Sequence, residues 1–138
     1  MTEQEANVQV LREGYALWNG SKATSAQYWM DLISDDVRWR SLGAGAAGAE
    51  FTEACSSKGE VQRYFERMGE QWKLLNYSAD EFVAQGDRVV MLGSCEWEHR
   101  QTGKKVHSPK VDVLRFRDGK IVEFMEYYDT AAVAEAMK

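Results

Sequence analysis

The chain has 138 residues, 44% of them hydrophobic and 28% charged, a length and composition typical of one globular domain spanning residues 1–138. A net charge of -5, from 22 acidic and 17 basic residues, argues against nucleic acid as a partner. No apolar stretch approaches the ~20 residues that cross a bilayer, and the N-terminus lacks the basic and apolar regions of a signal peptide. We therefore expect a cytoplasmic protein that does not bind membranes.

The cysteine, histidine and glycine patterns predict neither a metal nor a cofactor. Cys55 and Cys95 are too few for a disulfide framework, and neither they nor His99 and His107 follow a zinc-binding spacing. Residues 43–59 contain several glycines but not the sequence of a phosphate-binding loop. We interpret this segment either as a mobile cover of a cavity mouth or as plain connecting chain.

Taken in chain order, the first half of the sequence favours helices. Apolar residues recur at helical spacing in residues 3–18, 25–34 and 58–72, which predicts three helices. Residues 37–42 alternate between apolar and polar side chains, and this period predicts a short strand between the second and third helices.

The second half of the sequence favours strands. Four long runs with a period of two, residues 74–84, 88–99, 105–117 and 120–129, are separated by short turn sequences. Because short connections force neighbouring strands to pair antiparallel, the predicted fold class is α+β, with a curved antiparallel sheet packed on three N-terminal helices.

Two carboxylates lie inside the most apolar strands. Side chains two positions apart share a face of a strand, so Asp112 and Glu126 share the helix-covered face with large apolar residues. A carboxylate there must be paired, hydrogen-bonded or neutral. Two readings stay open: Asp112 pairs with Lys110 or Arg115 at a wet sheet edge, or both carboxylates line a cavity.

The opposite face of the same strands is also apolar in part. It carries Val90, Leu92, Val111 and Val113, which a lone sheet would leave in water. A second copy of the chain would cover them, so we predict a homodimer through this face of the sheet.

The sequence VDVLRFRDGKIVEFMEYYD, residues 111–129, is the sharpest part of a resemblance that extends over nearly the whole chain. The element order resembles the nuclear transport factor 2-like superfamily, a cone-shaped, cystatin-like α+β fold. Its members include ketosteroid isomerases, SnoaL-like polyketide cyclases and limonene epoxide hydrolases. Asp112 falls on the isomerase aspartic acid that stays neutral and donates a hydrogen bond to an enolate oxygen. The resemblance thus implies that Asp112 is a neutral acid.

The comparison with ketosteroid isomerases fails at two other positions. The tyrosine of their first helix would align near Gly14, one residue from Tyr15, and their general-base aspartate falls at Arg40 or Ser41. Neither Arg40 nor Ser41 can act as that carboxylate base, so the resemblance does not extend to steroid isomerase activity.

The comparison with limonene epoxide hydrolases holds at one position and fails at two others. Their final-strand aspartate matches Glu126, but their Arg and Asp of the second long strand fall on Gly93 and Cys95. The relay that activates water would therefore be broken, and epoxide hydrolysis is not expected.

The resemblance to SnoaL-like proteins implies a hydrophobic pocket with carboxylate acid/base chemistry and no cofactor or metal. Our hypothesis assigns Glu126 as the base, Asp112 as the hydrogen-bond donor to the developing oxyanion and either Tyr15 or Tyr128 as an assisting residue. The pocket would hold a small hydrophobic molecule and be lined by Trp39, Tyr64, Trp72, Cys95, Trp97, Lys110, Phe124 and Tyr128. The alternative is a non-catalytic ligand-binding module or a dimeric interaction module of the same fold.

Overall fold

The computed structural model describes residues 1–44 and 50–138. The helices are α1 (Glu3–Gly20), α2 (Ala26–Leu32), α3 (Lys58–Gln71) and α4 (Thr130–Ala136), and Glu50–Thr52 forms a 3₁₀ turn. The strands are β1 (Ile33–Ser41), β2 (Trp72–Gln85), β3 (Arg88–His99), β4 (Lys105–Arg117) and β5 (Lys120–Tyr128). The predicted α+β fold class is confirmed, with α1 to α3 preceding the four long strands. None of the helices in the described ranges is long and apolar enough to span a membrane.

The helix ends follow from local capping. The side chain of Thr2 accepts a hydrogen bond from the Glu5 N–H at the start of α1, and Ser57 does the same for Glu60 in α3. Helix α2 is shorter than its predicted range of 25–34 because β1 begins at Ile33, which pairs with Ile121 of β5.

The five strands form one mixed sheet in the order β1-β5-β4-β3-β2. Strands β2 to β5 pair antiparallel with their neighbours in sequence, as their short connections predict. Strand β1, in contrast, lies parallel to β5. No short turn dictates its direction, because most of the chain separates these two strands, and the sheet is therefore not purely antiparallel.

The C-terminal helix α4 lies beyond the last element predicted from the sequence, which ends at residue 129. The side chain of Asp129 caps it by accepting a hydrogen bond from the Ala132 N–H. Its last residue, Ala136, packs in a small core with Trp72 and Val106. Helix α4 thus packs against the sheet where β2 and β4 begin.

The segment 43–59 is described in part. Residues 45–49 lie outside the described residues. Cys55 pairs with Trp39 of β1 in an isolated antiparallel β-bridge. Phe51 and Thr52 line a cavity between the helices and the sheet. The described part of the segment therefore contributes to the cavity wall.

A close approach between β2 and β3 makes Gly93 sensitive to substitution. A Cβ atom at Gly93 would lie 1.9 Å from the carbonyl oxygen of Ser78. We expect Gly93→Ala to lower the free energy of unfolding by about 1–3 kcal/mol, because the backbone of one strand must move. Urea denaturation measures this change.

The matched control for Gly93 is Gly69→Ala in α3, where an added Cβ meets nothing within 4 Å. That change is expected to raise the free energy of unfolding by about 0.5–1 kcal/mol through helix propensity. Equal effects of the two substitutions would contradict the steric explanation.

Candidate functional site

A cavity of about 120 Å³ lies between the helices and the inner face of the sheet. All five tryptophans of the chain line it, together with several tyrosines and phenylalanines. The structure places every site residue predicted from the sequence at its wall: Tyr15, Trp39, Tyr64, Trp72, Cys95, Trp97, Lys110, Asp112, Phe124, Glu126 and Tyr128. A cavity of about 150 Å³ in another protein binds benzene, so we expect this cavity to hold a molecule with a single ring.

The pairing of β4 with β5 brings the two carboxylates together. Asp112 lies directly opposite Glu126 in the antiparallel register, and Lys110 lies opposite Tyr128. Because the side-chain period of a strand is two, Lys110 and Asp112 point to the same face, and the register adds Glu126 to them. Lys110, Asp112 and Glu126 are exposed by only 7%, 1% and 6%.

Lys110 bridges the two carboxylates. Its ammonium Nζ lies 2.6 Å from Asp112 Oδ1 and 3.1 Å from Glu126 Oε1. Nζ also donates a hydrogen bond of 3.3 Å to the hydroxyl oxygen of Tyr77. The ammonium is thus surrounded by two carboxylates and one hydroxyl of the protein.

Hydroxyl groups donate to the remaining carboxylate oxygens. Asp112 Oδ2 accepts from the hydroxyls of Tyr15, at 2.6 Å, and Tyr77, at 3.3 Å. Glu126 Oε2 accepts from the hydroxyl of Tyr64, at 2.6 Å, and from that of Ser41. We call these seven residues the carboxylate cluster: Tyr15, Ser41, Tyr64, Tyr77, Lys110, Asp112 and Glu126.

The structure selects between the pairings left open for Asp112. Lys110 is its partner, but the pair is buried at the cavity wall and not at a wet sheet edge. Arg115 instead lies near Asp87 and Glu123, with distances of 3.5 and 3.4 Å between charged atoms. The ion pair and the cavity, which the sequence presented as alternatives, therefore occur together.

Burial and charge act in opposite directions on the titrating groups. Burial raises the pKa of Asp112 and the nearby Glu126 raises it further, while Lys110 lowers it, and the net shift is upward. Burial lowers the pKa of Lys110, but Asp112 and Glu126 outweigh this and hold that pKa well above its usual value. Lys110 is therefore a permanent cation at neutral pH.

The tyrosines near the carboxylates stay protonated. Burial is the main cause that raises the pKa of Tyr15, Tyr64 and Tyr77, and the neighbouring carboxylates add to it. Burial and Glu126 together raise the pKa of Tyr128 to about 12. These hydroxyls consequently act as hydrogen-bond donors and not as bases.

Sequence reasoning missed Tyr77 and Ser41 as site residues. A register shift in β2 between Leu74 and Asn76 breaks the period of two, so strand parity counted from Leu74 gives the wrong face for Tyr77. Ser41 occupies the region where the isomerase base would fall, and the structure shows it as a hydrogen-bond donor to Glu126. That alignment was the one signal that pointed to Ser41.

The residues of the described ranges include no group of three or more His, Cys, Asp or Glu side chains that could hold a metal ion. The cofactor-free chemistry inferred from the sequence stays a prediction.

The sequence profile of the SnoaL-like domain matches residues 11–124 of this chain. The chain therefore belongs to the SnoaL-like domain family, within the nuclear transport factor 2-like superfamily that its sequence resembles. Among curated proteins, no significant match was found.

Solved structures of this superfamily share the fold over nearly the whole chain. A nuclear transport factor 2-like protein of unknown function from Burkholderia pseudomallei is 22% identical, with 100% of this chain and 99% of that chain covered and a TM-score of 0.84. TerC, co-crystallised with polyporic acid, is 21% identical, with 96% and 98% covered and a TM-score of 0.77. At these identities the likeness shows the fold alone.

A third structure has a ketosteroid isomerase-like fold and comes from Catenulispora acidiphila, in complex with trimethylamine. It is 14% identical, with 93% of this chain and 91% of that chain covered and a TM-score of 0.72.

Removal of the bridging ammonium is expected to make stability strongly dependent on pH. In Lys110→Met, Asp112 loses the cation that lowers its pKa, so the upward shift of that pKa in the folded state, caused by burial and by Glu126, becomes larger. Protons then bind the folded state more tightly, and stability falls as pH rises. We expect a loss of about 3–5 kcal/mol in the free energy of unfolding at pH 8 and partial recovery near pH 5.

Chemical denaturation across this pH range measures the effect. Lys105→Met is the control, because Lys105 is an exposed residue of the same strand. Parallel pH profiles for the two variants would show that Lys110 does not neutralise the buried carboxylates.

Proposed function

We propose that this protein binds a small, largely apolar molecule in its aromatic cavity and transfers protons to and from it without a cofactor. The observation that carries the proposal is the bridge of Lys110 to both Asp112 and Glu126 at the cavity wall. Two carboxylates share one cation, which leaves one more negative charge than positive charge in a buried site. An excess negative charge in a buried site favours the binding of one additional proton.

Glu126 is the proposed base. It is exposed by 6%, against 1% for Asp112, so it is the more accessible of the two carboxylates. It would take a proton from a carbon next to a carbonyl group, and the electron pair of the broken C–H bond would move into an enolate. The return of that proton to another carbon would complete an isomerisation, and attack of the enolate on a second carbonyl would give a cyclisation.

Asp112 is the proposed neutral acid. Burial shifts the pKa of this carboxyl group upward, which is the direction that a neutral acid requires. Once protonated, Asp112 could donate to the developing enolate oxygen. Tyr15, whose hydroxyl lies 2.6 Å from Asp112 Oδ2, is the proposed assisting residue because it holds the carboxyl in place. Small-molecule complexes of the same fold, TerC with polyporic acid and the Catenulispora protein with trimethylamine, support the use of the cavity for binding.

A second candidate function is ligand binding without turnover. It is favoured by the hydrogen bonds of the carboxylate cluster, in which Lys110 and the hydroxyl donors already have acceptors within the protein. A hydrogen-bond network that is already complete in the free protein can also orient a ligand without reacting with it.

The proposed assembly is a homodimer through the outer face of the sheet. Leu92, Val111 and Tyr127 lie side by side there in the strand register, and Tyr127 is 41% exposed. A second copy of this face would remove these apolar side chains from water. A purely interacting dimer would need no accessible cavity, which separates that alternative from the two above.

Hydrogen exchange at carbon tests the proposed chemistry without knowledge of the substrate. We expect the protein to accelerate deuterium incorporation from D₂O into acetophenone or cyclohex-2-en-1-one, followed by proton NMR. Glu126→Gln is expected to lower this rate by about 10²–10⁴-fold, the usual contribution of a general base, with probe affinity changed only a few-fold.

The control for the exchange experiment is Glu123→Gln, which changes the same residue type on the same strand near Arg38 and Arg115. Equal exchange rates for Glu126→Gln and the unmodified protein would overturn the assignment of the base. Binding of the ketones without any accelerated exchange would favour the binding function.

Light scattering coupled to gel filtration tests the dimer. The unmodified chain is expected to show about twice its mass of 15.7 kDa, whereas Val111→Glu should elute as a monomer because it places charges in the interface. Leu17→Glu, at a 46% exposed residue of α1, is the control and should remain dimeric. A monomeric mass for the unmodified chain would exclude the proposed assembly.

A further inference from the structure

The hydrogen-bond inventory of the carboxylate cluster is unbalanced. Lys110 donates hydrogen bonds to Asp112 and Tyr77, and its ammonium forms an ion pair with Glu126. The hydroxyls of Tyr15, Tyr77, Tyr64 and Ser41 donate to the same two carboxylates. The hydroxyl donors of the cluster are therefore already used by groups of the protein.

The acceptors of the cluster are not exhausted. A carboxylate has about four lone-pair sites for hydrogen bonds. Asp112 accepts from Lys110, Tyr15 and Tyr77. Glu126 accepts from Tyr64 and Ser41 and forms an ion pair with Lys110. Each carboxylate thus keeps capacity for one more donor. When both carboxylates are ionised, a ligand that reaches these oxygens finds acceptors and not donors.

The charges of the cluster lead to the same conclusion. Lys110 is held between the two carboxylates, and their negative charges would repel a ligand anion. When both carboxylates are ionised, the cluster carries a net charge of minus one. A buried excess charge favours a ligand of the opposite sign, because pairing offsets the cost of keeping the charge away from water.

The aromatic wall can accommodate a desolvated ammonium group. The ammonium of Lys110 already lies 5.7 Å from the ring centroid of Tyr77 and 5.9 Å from that of Phe124. Trp39 is stacked on Phe124 with ring centroids 3.8 Å apart and also lines the cavity. Tryptophan faces attract cations most strongly among the aromatic side chains.

From these observations we propose that the cavity selects its ligand by charge and binds a small apolar amine in its protonated form. The ammonium would donate to the open acceptor sites of Glu126 and Asp112, and its apolar part would lie among the aromatic rings. This inference rests on the binding half of the proposed function and not on proton transfer. It specifies the ligand class as an organic cation or, with weaker binding, a neutral hydrogen-bond donor.

Three isosteric probes test the selection: benzylammonium, benzyl alcohol and benzoate at pH 7.4. Each has one aromatic ring, which suits a cavity of about 120 Å³. Because all five tryptophans line the cavity, their fluorescence and their indole N–H signals in NMR spectra report binding there. We expect benzylammonium to bind about tenfold more tightly than benzyl alcohol, since a charge-assisted hydrogen bond replaces a neutral one, and benzoate to bind most weakly.

The variants connect the selection to the cluster. Glu126→Gln removes the excess charge, so benzylammonium and benzyl alcohol should then bind with similar affinity. Asp112→Asn should have the same effect and serves as the second variant if Glu126→Gln does not fold, as judged by circular dichroism. Glu123→Gln changes the charge of the whole protein by the same amount and should keep the tenfold preference.

The outcomes separate the inference from the proposed function. Failure of all three probes to bind would overturn the inference together with the proposed binding site. Equal or tighter binding of benzyl alcohol would overturn the inference alone, and so would tightest binding of benzoate, which would make Lys110 an anion site. Persistence of the preference in both Glu126→Gln and Asp112→Asn would assign it to general surface charge and contradict the inference.

Discussion

The position of the Lys110 ammonium between Asp112 and Glu126 is the constraint on which the rest of the inner sheet face depends. Each of these charges would be costly in the apolar interior alone, and the loss of one partner of a buried pair typically costs about 3–5 kcal/mol. The three side chains meet only because the β4 and β5 register places Asp112 opposite Glu126. A slip of one residue between β4 and β5 would place Glu126 on the face opposite Lys110 and Asp112 and leave its carboxylate without a cation.

The cluster also connects elements that are distant in the sequence. Tyr15 of α1 and Tyr77 of β2 donate to Asp112, while Tyr64 of α3 and Ser41 of β1 donate to Glu126. Apolar packing alone is tolerant of small shifts, whereas buried hydrogen bonds depend on distance and angle. We therefore attribute the placement of the helices over the sheet to this network. We attribute the greater part of the stability to the aromatic packing.

The sequence was sufficient for the fold class and for the central residues of the site, for a physical reason. Strand parity and one hairpin determine the geometry of Lys110, Asp112 and Glu126, and both are local properties of residues 105–129. The remaining features depend on non-local pairing. Tyr77 enters the site only through an irregularity in β2, and the parallel direction of β1 depends on its pairing with the last strand, β5.

The carboxylate cluster also explains why the fold alone does not determine the function of this chain. The fold places an aromatic cavity between the helices and the sheet, but the chemistry depends on the charges in the cavity wall. Here one cation lies between two carboxylates, and the hydroxyl donors of the carboxylate cluster are already bonded within the protein. A ligand group that reaches the two carboxylates must therefore bring a donor hydrogen, a positive charge or a proton that a carboxylate can take. Ammonium binding and proton abstraction are two responses to this single imbalance, and Glu126, the more exposed carboxylate, is where both would begin.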